Sequence, residues 1–227
     1  MYQIQSTTFE TTGDGSKTIF HPLIGEHYHS KHGAVQESQH VFMDQGLLFT
    51  LQNFSKPTLR LLEVGFGTGL NFLLSAQQLK NHSIQLDYQG IEAYPLSLDT
   101  LIQSDYQRYV DPQIWASFVD QYESAFRGPQ SLMNHIQWRL HQLPLERFKP
   151  EELVDLLYYD AFSPRHQPEM WSFEVLSQVA SMIARGGIFV TYSITGQLRR
   201  DLQGLGFEVT KLAGPPGKRE MLRAIKM

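Results

Sequence analysis

The sequence predicts an α/β fold: a doubly wound, mostly parallel seven-stranded sheet with a β-rich segment before it and an antiparallel hairpin at its end. Three observations carry this. From Leu59 onward, short apolar runs alternate with stretches of helical periodicity, the signature of a parallel sheet with crossover helices. The first run leads into Gly65-Phe66-Gly67-Thr68-Gly69, a strand-to-helix turn. The last two runs are joined only by Ala213–Glu220, which contains Gly214-Pro215-Pro216-Gly217 and is too short for a crossover helix, so they pair antiparallel at a sheet edge.

Taken in order, residues 1–55 hold short extended runs, Tyr2–Phe9, Thr18–Phe20 and Val41–Met43, separated by turn signals such as Gly13-Asp14-Gly15-Ser16. They read as an N-terminal extension packed on the core, with residues 56–227 forming the main domain. Strands follow at Leu59–Val64, Leu86–Ile91, Ile136–Leu140, Leu153–Tyr159, Ile188–Tyr192, Phe207–Leu212 and Met221–Lys226. Helices fill the gaps at Leu70–Lys80, Leu96–Gln107, Pro112–Phe126, Pro168–Ala184 and Gln197–Gly204. Pro95 and Pro112 stand near helix starts, and Gly186-Gly187 follows an end.

Composition narrows the chemistry. A chain of 227 residues, 41% hydrophobic and 19% charged, buries about 70–75% of its unfolded surface, which excludes disorder and a coiled coil. No run approaches the roughly 18 apolar residues of a membrane span, and Met1-Tyr2-Gln3-Ile4-Gln5 lacks the order of a signal peptide, so the expected setting is soluble and cytoplasmic. With no cysteine, thiol catalysis, disulfides and cysteine-ligated metals are excluded. Of the net charge of −4, the segment from Arg185 carries +5 and the remainder −9. A basic end on an acidic body fits either a local polyanion footprint or a solvated surface.

The glycine loop is the sharpest chemical signal. Leu61-Leu62-Glu63-Val64 runs into three glycines and then a helix, so backbone amides and the helix's positive end face a ligand without Cβ atoms in the way. A dinucleotide fingerprint needs its third glycine at position 70, which is Leu70. The spacing Glu-x-Gly-x-Gly-x-Gly instead resembles the first motif of class I S-adenosylmethionine methyltransferases. Glu92 ends the second strand about 20–25 residues on, where a ribose diol lies. Asp160 follows the strand Leu153–Tyr159, beside the first strand at the switch point. There it either faces the cleft, with Phe162 and Pro164 stiffening a wall, or caps a turn through Ser163. His27, His29 and His32 near Glu26 and His40 lack an established metal-ligand spacing, so no metal is expected.

An ordered set of motifs resembles the methyltransferase members of the MnmC and MnmD family. It comprises Tyr28-His29-Ser30, Glu37-Ser38-Gln39-His40-Val41-Phe42, Glu63 through Phe72, Glu92 with Pro95-Leu96, Asp160-Ala161-Phe162-Ser163-Pro164, Pro168-Glu169-Met170-Trp171, Arg199-Arg200 and Gly217-Lys218-Arg219-Glu220-Met221. The resemblance covers nearly the whole chain and implies a Rossmann-like class I methyltransferase. The reaction it implies is methyl transfer from S-adenosylmethionine to the exocyclic amine of 5-aminomethyl(-2-thio)uridine at the wobble position of tRNA, with separate enzymes supplying the aminomethyl group.

By position, the resemblance implies that Glu63, Gly65, Phe66, Gly67, Thr68, Gly69 and Asn71 hold the cofactor and Glu92 its ribose. Asp160 meets the amine as an orienting acceptor and charge sink rather than a strong base. Tyr28, His29, Phe162 and Pro164 shape the target pocket, and Arg199, Arg200, Lys218 and Arg219 grip phosphates of the anticodon region. After the third strand the family often shows an acidic residue near the adenine, where this chain reads Leu140-His141-Gln142-Leu143-Pro144-Leu145-Glu146. Bifunctional relatives continue into a flavin-dependent oxidase domain; no flavin is expected here. Other functions that keep the glycine loop are methylation of a small-molecule or protein amine, aminopropyl transfer, and non-catalytic binding of cofactor and RNA.

Overall fold

The computed structural model describes residues 8–52 and 54–227. The chain first forms a small antiparallel sheet of β1 (Thr8–Thr11), β2 (Lys17–His21) and β3 (Glu26–His27). Its first turn is held by Asp14, whose Oδ1 accepts from Thr12 Oγ1 at 2.8 Å and from the Ser16 N–H at 3.0 Å. Of the predicted run Tyr2–Phe9, Thr8 and Phe9 fall in β1 and the rest lies outside the described residues.

The predicted extended run Val41–Met43 is corrected. It lies within one helical segment made of α1 (Ala34–Ser38), a π-wound stretch Gln39–Leu48 and α2 (Phe49–Gln52). Val41, Phe42, Met43 and Leu47 are buried in the same core as the strands, and a short fully buried apolar run looks alike on a helix and on a strand. Gly46 lets this helix settle on the sheet: a Cβ there would stand 3.0 Å from Val190 and 3.1 Å from Tyr158.

The main sheet is built from β4 (Thr58–Val64), β5 (Gln85–Ile91), β6 (Gln130–Met133), β7 (Ile136–His141), β8 (Val154–Tyr159), β9 (Ile183–Thr191), β10 (Phe207–Ala213) and β11 (Glu220–Lys226). The order is β10-β11-β9-β8-β4-β5-β7-β6, one strand more than the seven predicted. The addition, β6, is a short edge strand with one buried residue, Leu132, too little apolar pattern to read. The core pairs are parallel, and β6, β10 and β11 pair antiparallel, which places the predicted hairpin at the edge.

Helices α3 (Leu70–Leu79), α4 (Leu98–Gln103), α5 (Pro112–Ala125), α6 (Phe173–Met182) and α7 (Gly196–Gly204) complete the fold. Two are shorter than predicted. The N-caps Ser97 and Ser172 start α4 and α6 later, 3₁₀ turns form at Tyr106–Tyr109 and Pro168–Trp171, and Ile183 and Ala184, predicted as helix, open β9. Side chains alternate between two cores: Leu61, Leu156, Tyr158 and Val190 face one, and Leu62, Leu157, Tyr159 and Phe189 face the other. Both faces are thus covered, and the carboxyl ends of β4 and β8 lie side by side where the chain reverses direction across the sheet.

Candidate active site

At those carboxyl ends a cavity of about 790 Å³ opens, walled by the glycine loop, the ends of β5 and β8, and the segment from His21 to Lys31. This is the size range of a small-molecule site. The chain leaves β4 and turns through Gly65 (φ 86) and Gly67 (φ 50). A Cβ at Gly65 would lie 2.5 Å from the Asp160 carbonyl oxygen, and one at Gly67 would lie 2.9 Å from the Tyr28 ring. The loop is therefore pressed between the end of β8 and Tyr28, and only glycine fits at both positions.

Glu92 closes the other side of the loop. Its Oε2 accepts the Gly67 N–H at 3.0 Å and its Oε1 the Tyr94 N–H at 3.0 Å. Burial pushes its carboxyl above the ordinary glutamate range, and these amides oppose that rise. Each oxygen keeps a lone pair for a ligand hydroxyl.

Asp160 is anchored through its N–H to the Val64 carbonyl at 2.9 Å, and its Oδ2 accepts from Asn71 Nδ2 at 2.9 Å. The same Nδ2 donates to Glu63 Oε1 at 2.8 Å, and Glu63 Oε2 accepts from the Tyr88 hydroxyl at 2.5 Å. Burial first, and the Glu37 carboxylate second, push the Asp160 carboxyl up to about 8. Burial likewise holds Glu63 well above its ordinary value.

Of the residues singled out from sequence, Tyr28, His29, Gly65, Phe66, Gly67, Glu92, Asp160 and Phe162 line the cavity. The Tyr28 and Phe162 rings meet edge to face with centroids 5.2 Å apart. Glu63, Thr68, Gly69 and Asn71 stand behind the wall, where Glu63 and Asn71 brace Asp160. Thr68 Oγ1 lies 2.6 Å from His29 Nε2, tying the N-terminal segment to the glycine loop. Burial pulls the His29 imidazole down to about 4, so it is a neutral anchor. Pro164 does not reach the cavity; Gln167, Glu169 and Met170 do.

The basic residues divide. Arg199, Arg200 and Arg219 lie away from the cavity, with Arg200 and Arg219 exposed. Lys218 lies in its wall, paired with Glu37 and over the Tyr192 ring, 3.6 Å from its centroid. That placement sets Lys218 apart from the three arginines: its charge already faces a buried carboxylate inside the cavity.

Sequence reasoning gave no place in the cavity to Glu26, named only beside the histidines, to Glu37, named only within a motif, or to Tyr192; the Glu26 Oε2 accepts the Ser163 N–H at 2.7 Å. Tyr192 follows β9 at the sheet's carboxyl edge, which is the signal that marks it. Leu143, Pro144, Leu145 and Glu146 line the cavity after β7. Six acidic side chains in all (Glu26, Glu37, Glu92, Glu146, Asp160 and Glu169), of which Asp160 and Glu92 are raised by burial, line the cavity against two lysines, Lys31 and Lys218, so the cavity favours a cation. Among the described residues, no three His, Asp or Glu side chains are grouped to hold a metal ion, and no helix is long and apolar enough to cross a membrane.

A family model described as S-adenosyl-L-methionine-dependent methyltransferase matches residues 112–227, just over half of the chain. The chain belongs to this methyltransferase family. The tRNA 5-methylaminomethyl-2-thiouridine biosynthesis bifunctional protein MnmC of Pseudoalteromonas atlantica is 33% identical over 217 residues, covering 87% of this chain and 30% of that protein. The protein of the same name from Acidovorax sp. is 33% identical over 232 residues, covering 96% of this chain and 35% of that protein. The methyltransferase thus spans about a third of the length of the curated relatives it matches. The crystal structure of MNMC2 from Aquifex aeolicus superposes with a TM-score of 0.75 at 25% identity, covering 99% of this chain and 72% of that one.

The residues of the methyltransferase fit S-adenosylmethionine. The Cβ-free cradle at Gly65 and Gly67 admits a close ligand, Glu92 presents a carboxylate to a diol, and the acidic cavity suits a sulfonium.

Proposed function

We propose that this methyltransferase methylates the exocyclic amine of 5-aminomethyluridine, or of its 2-thio form, at the wobble position of tRNA. The relatives' names supply the substrate class, and one structural observation carries the reading: Asp160 and the glycine loop share one wall of an acidic cavity. In this reading an enzyme that installs the aminomethyl group acts first. Within the extension 1–55, the described residues complete the amine side of a domain spanning 56–227.

When bound, S-adenosylmethionine supplies the methyl group as an electrophilic sulfonium. Gly65, Gly67 and Glu92 hold it, and Leu143 through Glu146 flank its base. Tyr28 and Phe162 wall the amine side and exclude water. Asp160 accepts the amine's N–H bonds through the oxygen that Asn71 leaves free. Only the free amine has a lone pair to donate, and a carboxyl held near 8 is a far better proton acceptor than an ordinary aspartate. Asp160 therefore orients the amine and, where its own carboxyl is ionised, offers the amine's proton an acceptor. Most of the rate arises from holding the nitrogen in line at about 3–3.5 Å from the carbon it attacks.

The test is incubation of an anticodon stem-loop RNA carrying 5-aminomethyluridine, with and without S-adenosylmethionine, followed by mass spectrometry of its nucleosides. Conversion to the methylamino nucleoside only with cofactor is expected. Cofactor binding with an unchanged nucleoside would move the reading to another amine or to a non-catalytic module.

A further inference from the structure

Lys218 belongs to the turn between β10 and β11, yet it is built into the cavity wall. The turn is fixed from the N-terminal side: His40 Nε2 lies 2.8 Å from the Ala213 carbonyl oxygen, and a Cβ at Gly217 would collide with the His32 ring. Lys218 Nζ pairs with Glu37, whose other oxygen accepts the Ser30 N–H at 3.2 Å. The same Nζ lies over the Tyr192 ring, and the Tyr192 hydroxyl donates to the Ala161 carbonyl oxygen at 2.9 Å, one residue after Asp160. Glu37 is only 5% exposed, so without a partner its charge would be costly and would act on its neighbours through a poorly screened medium.

We propose that Lys218 is a positioning residue for methyl transfer: by neutralising the buried Glu37 carboxylate beside Asp160, it keeps the substrate amine available as the free base. This rests on the reading of the cavity as an amine methylation site. The other groups around the pair do not replace Lys218. Lys31 is spent on Glu10, at 2.9 Å. His29 is neutral because burial lowers it, and Tyr28 and Tyr192 stay neutral because burial raises them. Glu26, Glu92 and, behind Asn71, Glu63 contribute only acidic groups. Loss of Lys218 therefore leaves the region more negative and holds protons on the ammonium and on Asp160. Loss of the Glu37 charge does the reverse.

The experiment is the pH profile of single-turnover methyl transfer to a stem-loop RNA carrying 5-aminomethyluridine, at saturating S-adenosylmethionine. Lys218→Met should move the acidic limb up by roughly one pH unit, and Glu37→Gln should move it down by a comparable amount. The double variant should return to within a few tenths of wild type, and Lys218→Arg should match wild type. Slower rates with unmoved midpoints would reduce the pair to a structural clasp and overturn the proposal. If Lys218→Met does not fold, the direction of the Glu37→Gln shift decides. A wild-type enzyme that transfers no methyl at any pH would overturn the underlying reading and this assignment with it. A working wild type with unshifted variants would overturn this assignment alone.

Discussion

Asn71 holds Asp160 in place, its Nδ2 lying 2.9 Å from the carboxylate Oδ2 while also reaching Glu63. A side chain that the family resemblance assigns to the cofactor thus braces the carboxyl proposed to meet the amine. Substituting Asn71→Leu removes the donor that orients Asp160 and leaves two carboxyls short of a partner. Methyl transfer should fall by roughly 10- to 100-fold, with a smaller change in S-adenosylhomocysteine affinity. Rapid-quench kinetics beside calorimetry separates the two effects.

Glu92 makes the reverse case. Its oxygens already hold the Gly67 and Tyr94 amides, so Glu92→Ala loses the diol acceptor and loosens the loop together. S-adenosylhomocysteine binding should weaken by roughly 10- to 100-fold, as for one or two charge-assisted hydrogen bonds. Isothermal calorimetry reads this directly, and unchanged affinity would remove Glu92 from the cofactor site.

The raised Asp160 carboxyl makes a stability prediction with a definite sign. Its proton is bound more tightly in the folded protein, near 8, than at the ordinary value of 3.8. Below the ordinary value both states are protonated and the folded form bears no penalty. As pH rises toward 8 the unfolded state ionises first, and wild-type stability is lost relative to a neutral side chain. Asp160→Asn should therefore gain progressively in Tm over wild type between pH 4 and 8, by roughly ten degrees or more at the upper end, and level off above. Thermal melts across that range without ligand check it; a constant difference would show an Asp160 carboxyl of ordinary acidity.

For RNA, the surface candidates are Arg199, Arg200 and Arg219, since Lys218 is occupied by Glu37. Replacing all three with alanine should weaken tRNA binding and flatten its salt dependence, by about 0.7–0.9 in log–log slope for each phosphate that is no longer neutralised. S-adenosylhomocysteine affinity should stay nearly constant. An unchanged salt slope would place the RNA surface elsewhere.

What was legible in the sequence followed from local pattern and from sheet topology. The glycine turn, Glu92 after the next strand and the adjacency of Asp160 to the first strand follow from strand–loop–helix order alone, and the structure joins them in one cavity. The helix through Val41–Met43 was not legible, because three buried apolar residues have the same appearance in either conformation. Strand β6 escaped because an edge strand with one inward residue has no alternation to read. The place of Lys218 depends on Glu37, 181 positions away, and no local rule joins residues so far apart. The bracing role of Asn71 was hidden for a related reason: its partners Glu63 and Asp160 meet only when β4 and β8 pair.

The central claim is that Asp160 meets the substrate amine, and single-turnover transfer by Asp160→Asn tests it most directly. The measurement uses saturating S-adenosylmethionine and a stem-loop RNA carrying 5-aminomethyluridine, with folding checked by a thermal melt. Above about pH 8, where the Asp160 carboxyl is ionised, loss of the charged acceptor should cost roughly 2–4 kcal/mol, a fall of about 30- to 1,000-fold in rate, with S-adenosylhomocysteine affinity held within a few-fold. A folded Asp160→Asn enzyme that transfers methyl at near wild-type rate from pH 6 to 9 would contradict the account and leave Asp160 as a residue of the β8 turn.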